Sequence, residues 1–126
     1  MEKLTNVKED YLETILMIRK EKGYCLSVDI ARKFGITAPS VSAAVKQLEN
    51  RGYLYRIDRD IRLTESGLSV AERMMERQHL LTEILVTMGV SREIAENDAC
   101  KIEHHLSEES YHNVKALWKQ GNPCFC

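Results

Sequence analysis

No apolar run in this 126-residue chain approaches the roughly 18 residues that a membrane-spanning helix needs, so no part of it is expected to cross a bilayer. The first ten residues are charged and lack the basic-then-apolar layout of a secretory signal, which makes the cytoplasm the expected compartment. There is no His-Glu-X-X-His run, and a short helical chain leaves little room for a substrate cleft, so no enzyme is expected. The four cysteines, at 25, 100, 124 and 126, match no zinc-finger framework, and a reducing compartment disfavours structural disulfides. Internal repeats and low-complexity linkers are absent as well.

What is present is an ordinary globular composition, 44% hydrophobic and 29% charged. The net charge of −1 hides an asymmetry. Between Arg32 and Arg62 seven basic residues face three acidic ones, a local net charge of +4, whereas acidic residues dominate from Thr64 onward. A near-neutral total is compatible with nucleic acid binding, because only the docked face has to be positive.

Helical spacing of Val7, Tyr11, Ile15 and Ile18 predicts a first helix over 6–22, stopped by Gly23. Ser27 is expected to cap a short helix ended by Gly35, and Thr37 a further one closed by Gly52, with Pro39 in its first turn. Residues 53–57 and 61–63 read as two strands around an Asp-Arg-Asp turn. Three helices follow, over about 65–88, from Ser91 to about Leu106, and from Ser107 to about Gln120. The expected fold is mainly α. A winged helix-turn-helix head with a two-stranded wing occupies 1–66, and an all-helical metal-binding and dimerisation domain occupies 67–126.

The second helix of the helix-turn-helix presents small or hydroxyl-bearing residues, Thr37, Ala38, Pro39, Ser40, Ser42 and Ala43. Small side chains let a helix start approach base edges, and its first N–H groups suit a phosphate. Lys46 and Arg51, with the wing residues Arg56, Arg59 and Arg62, suit the DNA backbone. A second constellation lies near the C-terminus. Cys100, Glu103 and His104, at i, i+3 and i+4, share one helical face, and thiolate, carboxylate and imidazole together make a ligand set for a divalent transition metal. Asp10 and Glu13 share a face of the first helix. His79 with Glu83, and Gln78 with Thr82, are further candidate pairs.

Four segments then resemble one family in order: Glu-Asp-Tyr-Leu-Glu at 9–13, Thr-Ala-Pro-Ser-Val-Ser at 37–42, Leu-Thr-Glu-Ser-Gly at 63–67, and Asn-Asp-Ala-Cys-Lys-Ile-Glu-His-His-Leu-Ser at 97–107. The chain resembles the metal-dependent repressors that include the diphtheria toxin repressor and the manganese transport regulator. That resemblance implies a homodimer binding a palindromic double-stranded operator when loaded with Mn2+ or Fe2+, with Zn2+ or Co2+ as alternative ions. It implies Asp10, Glu13, Cys100, Glu103 and His104 as metal ligands. The acidic pair follows the manganese branch, and the cysteine at 100 follows the iron branch. The family's ligand histidine in the fourth helix falls on Gln78 when counted ungapped from Gly89, with His79 one residue further, so either is a candidate. The apolar residues Leu106, Val114, Leu117 and Trp118 are expected at the dimer interface. The alternative is a winged-helix regulator answering to redox state or an organic ligand, for which the Cys-Phe-Cys tail offers thiols.

Overall fold

A computed structural model of the chain describes residues 6–121. Its elements run α1 (Asn6–Lys22), α2 (Ser27–Phe34), α3 (Ala38–Asn50), β1 (Leu54–Ile57), β2 (Asp60–Leu63), α4 (Glu65–Thr87), α5 (Arg92–Ile102) and α6 (Glu108–Lys119). The fold is mainly α, with one two-stranded antiparallel sheet among the described residues. Two compact units make it up, Met1–Arg73 and Met74–Cys126. No helix of the described residues is long and apolar enough to cross a membrane.

In the first unit, α1 turns Tyr11, Leu12, Ile15, Leu16 and Ile18 inward. They meet Ile30 of α2, Val41, Val45 and Leu48 of α3, and Leu54 and Ile61 of the hairpin, all buried. Each such side chain contributes about 1.5–3 kcal/mol relative to exposure, which is why these short elements hold together. The Tyr11 and Phe34 rings pack with centroids 5.0 Å apart and planes tilted by 52°. Gly35 ends α2 in the left-handed region at φ 68°, which its missing Cβ permits, and its N–H returns to the Ala31 carbonyl. Thr37 opens α3 with the extended dihedrals of an N-cap residue.

Two expectations are corrected in this unit. The residue that precedes α2 is Leu26, with Ser27 already helical. Asp29 does the capping, accepting the Leu26 N–H at 2.9 Å and Lys22 Nζ at 2.6 Å. The second strand begins one residue early, at Asp60, which pairs with Ile57, so the turn shrinks to Asp58 and Arg59. Asp58 takes φ 58°, a conformation that aspartate tolerates better than most residues. Asp60 is fixed by three donors: the Cys25 N–H at 3.0 Å, Arg19 Nη1 at 2.6 Å and Arg62 Nε at 2.9 Å. These donors, led by the Cys25 amide, hold its carboxyl below the usual carboxylate range.

Thr64 caps α4, its hydroxyl accepting the Gly67 N–H at 3.2 Å and donating to the Gly52 carbonyl at 2.7 Å. Gly67 itself sits against the wing's base. A Cβ there would stand 1.9 Å from the Tyr53 carbonyl oxygen, which is backbone and already accepts the Thr64 N–H. Gly67→Ala should therefore destabilise the head by about 2 kcal/mol, the scale of an overpacked core. A urea midpoint unchanged from wild type would refute this.

The second unit contains the remainder of α4 with α5 and α6. Its buried residues include Met74, Leu81 and Ile84 of α4, Ala95 and Ala99 of α5, and Tyr111 of α6. Ser91 precedes α5, and Ser107 caps α6 by accepting the Ser110 N–H at 3.1 Å. α5 stops at Ile102, four residues short of the expected end.

Candidate metal centre and DNA-reading face

The first unit presents α3 as an amphipathic helix with a sharp division. Val41, Val45 and Leu48 are inaccessible, whereas Thr37, Ala38, Pro39, Ser40, Ser42, Ala43 and Lys46 are all exposed. The Thr37 and Ser40 hydroxyls lie 3.0 Å apart at the helix start. The outer surface is thus short in reach and rich in hydroxyls, with one lysine a turn further along. On the hairpin, Arg56 and Arg59 are exposed. Arg56 forks onto Glu49 of α3 at 2.7 Å, and Arg62 is taken by Asp60. Arg59, at the turn, makes no ion pair among the described residues. The wing's arginines are therefore unequal, two holding carboxylates and one facing solvent.

Asp10 and Glu13 stand on α1 in this same unit. Asp10 is half-buried, and Glu13 is 5% exposed. A carboxylate that deep is costly unless an ion or donors compensate it. Cys25 is fully buried, and burial pushes its thiol up to about 12, so it is protonated at neutral pH. Cys124 and Cys126, with the tail on which the redox alternative drew, lie outside the described residues.

In the second unit, Cys100 occupies the last turn of α5, Glu103 is its C-cap and His104 follows. Although the helix ends at Ile102, Glu103 keeps helical dihedrals (φ −55°, ψ −31°), so the i, i+3 relation with Cys100 survives. One ligand atom of Cys100 and one of Glu103 lie within 4.8 Å of each other. His104 Nε2 is 3.6 Å from Glu103 Oε1. Glu103 is 1% exposed and the His104 side chain 6%. Carboxyl and imidazole are thus withdrawn from water at one helix end, beside a half-buried thiol. Such a donor set fits a first-row divalent ion.

The α4 candidates separate. Gln78 is half-buried, whereas His79 is exposed and, with Glu83, Tyr111 and Trp118, lines a cavity of about 190 Å3 between α4 and α6. Thr82 is buried. Of the residues expected at a dimer interface, Leu117 is 42% exposed, while Leu106, Val114 and Trp118 are half-buried; Met88, Ile94 and Ile102 add exposed apolar surface.

Sequence reasoning overlooked Arg77. It lies in α4 on the buried stripe of Met74, Leu81 and Ile84, and only 4% of it is exposed. Its Nη1 donates to the carbonyls of Glu103 at 3.3 Å and Leu106 at 2.9 Å, and its Nη2 to the Glu108 carboxylate at 2.7 Å. The guanidinium also lies 4.6 Å from the Tyr111 ring centre. The signal was available in principle: a charged residue at an apolar position of a helical stripe needs partners.

Comparison with known proteins bears on both units. Residues 3–58 match the family model described as iron dependent repressor, N-terminal DNA binding domain. Residues 64–125 match iron dependent repressor, metal binding and dimerisation domain. The chain is 38% identical over 110 residues to the HTH-type transcriptional regulator MntR of Bacillus subtilis, covering 86% of this chain and 78% of that one. It is 37% identical over 103 residues to the transcriptional regulator MntR of Escherichia coli O6:H1, covering 81% of this chain and 66% of that one. Among solved structures, T. acidophilum IdeR aligns with a TM-score of 0.75 at 30% identity, covering 96% of this chain and 56% of that one. The chain therefore spans just under two thirds of the E. coli regulator and little over half of the T. acidophilum chain.

Proposed function

This chain belongs to the iron dependent repressor family, and from that premise we propose that it is a metal-activated transcriptional repressor, a regulator and not an enzyme. It acts in the cytoplasm as a homodimer on a palindromic operator and serves metal-ion homeostasis. The observation that carries this reading is the buried Glu103 carboxylate, with a Cys100 ligand atom within 4.8 Å of it and His104 Nε2 at 3.6 Å.

Functionally the chain divides into a head, 1–66, and a metal-binding and dimerisation domain, 67–126. Asp10 and Glu13 offer carboxylate oxygens from α1. Cys100, Glu103 and His104 offer sulfur, oxygen and nitrogen from the end of α5 and the turn after it. α4 adds one more donor, the Gln78 amide oxygen or the His79 imidazole, and the half-burial of Gln78 favours the former. A bound Mn2+ or Fe2+ supplies the positive charge that lets these acidic and soft donors lie together; Zn2+ and Co2+ suit the same atoms. Because α1 is built into the core of the head, donors held from both domains restrict the orientations the head adopts. The operator then meets a larger fraction of dimers with the right spacing, and apparent affinity rises by that fraction. On DNA, Thr37, Ala38, Pro39, Ser40 and Ser42 enter the major groove, while Lys46, Arg56 and Arg59 meet phosphates.

Gel shift on the DNA upstream of the protein's own coding region tests this, under anaerobic reducing conditions with Mn2+, Fe2+ or a chelator. Metal should tighten binding roughly 10- to 100-fold, the range of a typical coupling free energy. Equal affinity with ion and with chelator would exclude metal activation.

A further inference from the structure

We infer that Arg77 is a positioning residue for the metal centre: its buried guanidinium fixes the turn at 103–106 on which Glu103 and His104 stand. This rests on the reading of those two residues as ligands. The last carbonyls of a helix have no helical partner and must find donors elsewhere. At the end of α5 part of the demand is met locally, since the His105 and Leu106 N–H groups both return to the Ile102 carbonyl, at 2.9 and 3.1 Å. The carbonyls of Glu103 and Leu106 are met by Arg77 Nη1, at 3.3 and 2.9 Å. The other terminal nitrogen, Nη2, reaches Glu108 in the first turn of α6 at 2.7 Å. One planar group thus spans the turn and anchors its far side.

The chemistry suits a guanidinium and no other side chain. Its donors leave in fixed directions, so two carbonyls and a carboxylate are served at once without the side chain rotating. An ammonium is a point charge on a flexible stem and does not hold the same angles. Burial of the charge is a cost: the Arg77 side chain is 5% exposed, and its Nε is buried without a hydrogen-bond partner among the described residues. A leucine would continue the stripe of Met74, Leu81 and Ile84 without that cost. An arginine there is accounted for by what it fixes, the backbone that aims Glu103 and His104.

The test uses the full chain with Arg77→Lys, and Leu81→Ala as a variant that weakens the same helix away from the turn. In metal-free protein, Arg77→Lys should speed amide exchange at His105 and Leu106 at least tenfold. Its Mn2+ affinity should fall at least tenfold, whereas Leu81→Ala lowers the melting temperature but leaves Mn2+ affinity within twofold. An Arg77→Lys affinity within twofold of wild type overturns the proposal, and so does an equal loss in Leu81→Ala. Should Arg77→Lys fail to fold, the wild-type guanidinium decides. Resolved Arg77 Nη proton signals in metal-free protein support the clamp, and averaged ones overturn it. If the wild type itself binds no Mn2+, the ligand reading falls, while the metal-free exchange rates still decide whether Arg77 holds the turn.

Discussion

Glu103→Ala should weaken Mn2+ binding at least 100-fold and remove metal-stimulated operator binding, with the helical circular dichroism spectrum retained. Loss of a supporting partner behind a metal ligand already costs about 10–100-fold, so loss of a ligand sets the larger figure. Glu103 is the most buried of the candidate ligands, 1% exposed, with Cys100 and His104 on either side of it. His104→Ala should behave alike. A thermal readout separates ligation from folding. An ion at 100 times its dissociation constant stabilises the native state by about 2.7 kcal/mol, so wild type gains melting temperature with Mn2+, whereas a variant weakened 100-fold gains about 0.4 kcal/mol or less. Either variant binding the operator in a fully metal-dependent way would place the metal elsewhere.

The second large effect belongs to α3. Ser42→Tyr and Pro39→Arg should each abolish specific operator binding while Mn2+ affinity and dimerisation stay as in wild type. Both positions are exposed, off the stripe of Val41, Val45 and Leu48, so a larger side chain costs the core nothing. What it blocks is the close approach of a helix surface made of alanine, proline and serine to base edges. Lys46→Ala is the contrast, since a phosphate contact carries no sequence information. It should weaken all sequences alike and reduce the salt slope by about one. Operator affinity surviving both large substitutions would mean that α3 does not enter the groove.

Local periodicity made most of the fold legible. α1 ends at Lys22, where Gly23 was expected to stop it, and Gly35 ends α2 as its backbone freedom allows. The errors arise where distant residues intervene. Asp60 was read as turn because aspartate favours turns, yet donors from Arg19 and Cys25, some forty residues away, draw it into the strand. α5 was read as longer because the face carrying Cys100, Glu103 and His104 keeps helical spacing past Ile102. The break there is marked by the His105 N–H, which turns back to the Ile102 carbonyl at 2.9 Å, while Arg77, 26 residues earlier, takes the Glu103 carbonyl just beyond it. The candidate donors at Cys100, Glu103 and His104 were legible from chemistry alone. The choice between Gln78 and His79 was not, because one residue of helix turns a side chain by about 100°.

The three donors on Asp60 have a mechanical consequence. Arg19 stands six to nine residues along α1 from Glu13 and Asp10, so at 1.5 Å per residue the acidic pair and the Asp60 knot are about 9–14 Å apart on one rod. A helix of that length scarcely bends. A force applied at Asp10 and Glu13 therefore reaches the turn end of the wing through Arg19 and Asp60, and α3, packed in the same core, travels with it. The head answers as one lever gripped near its end, so a displacement at the grip carries the exposed face of α3 with it.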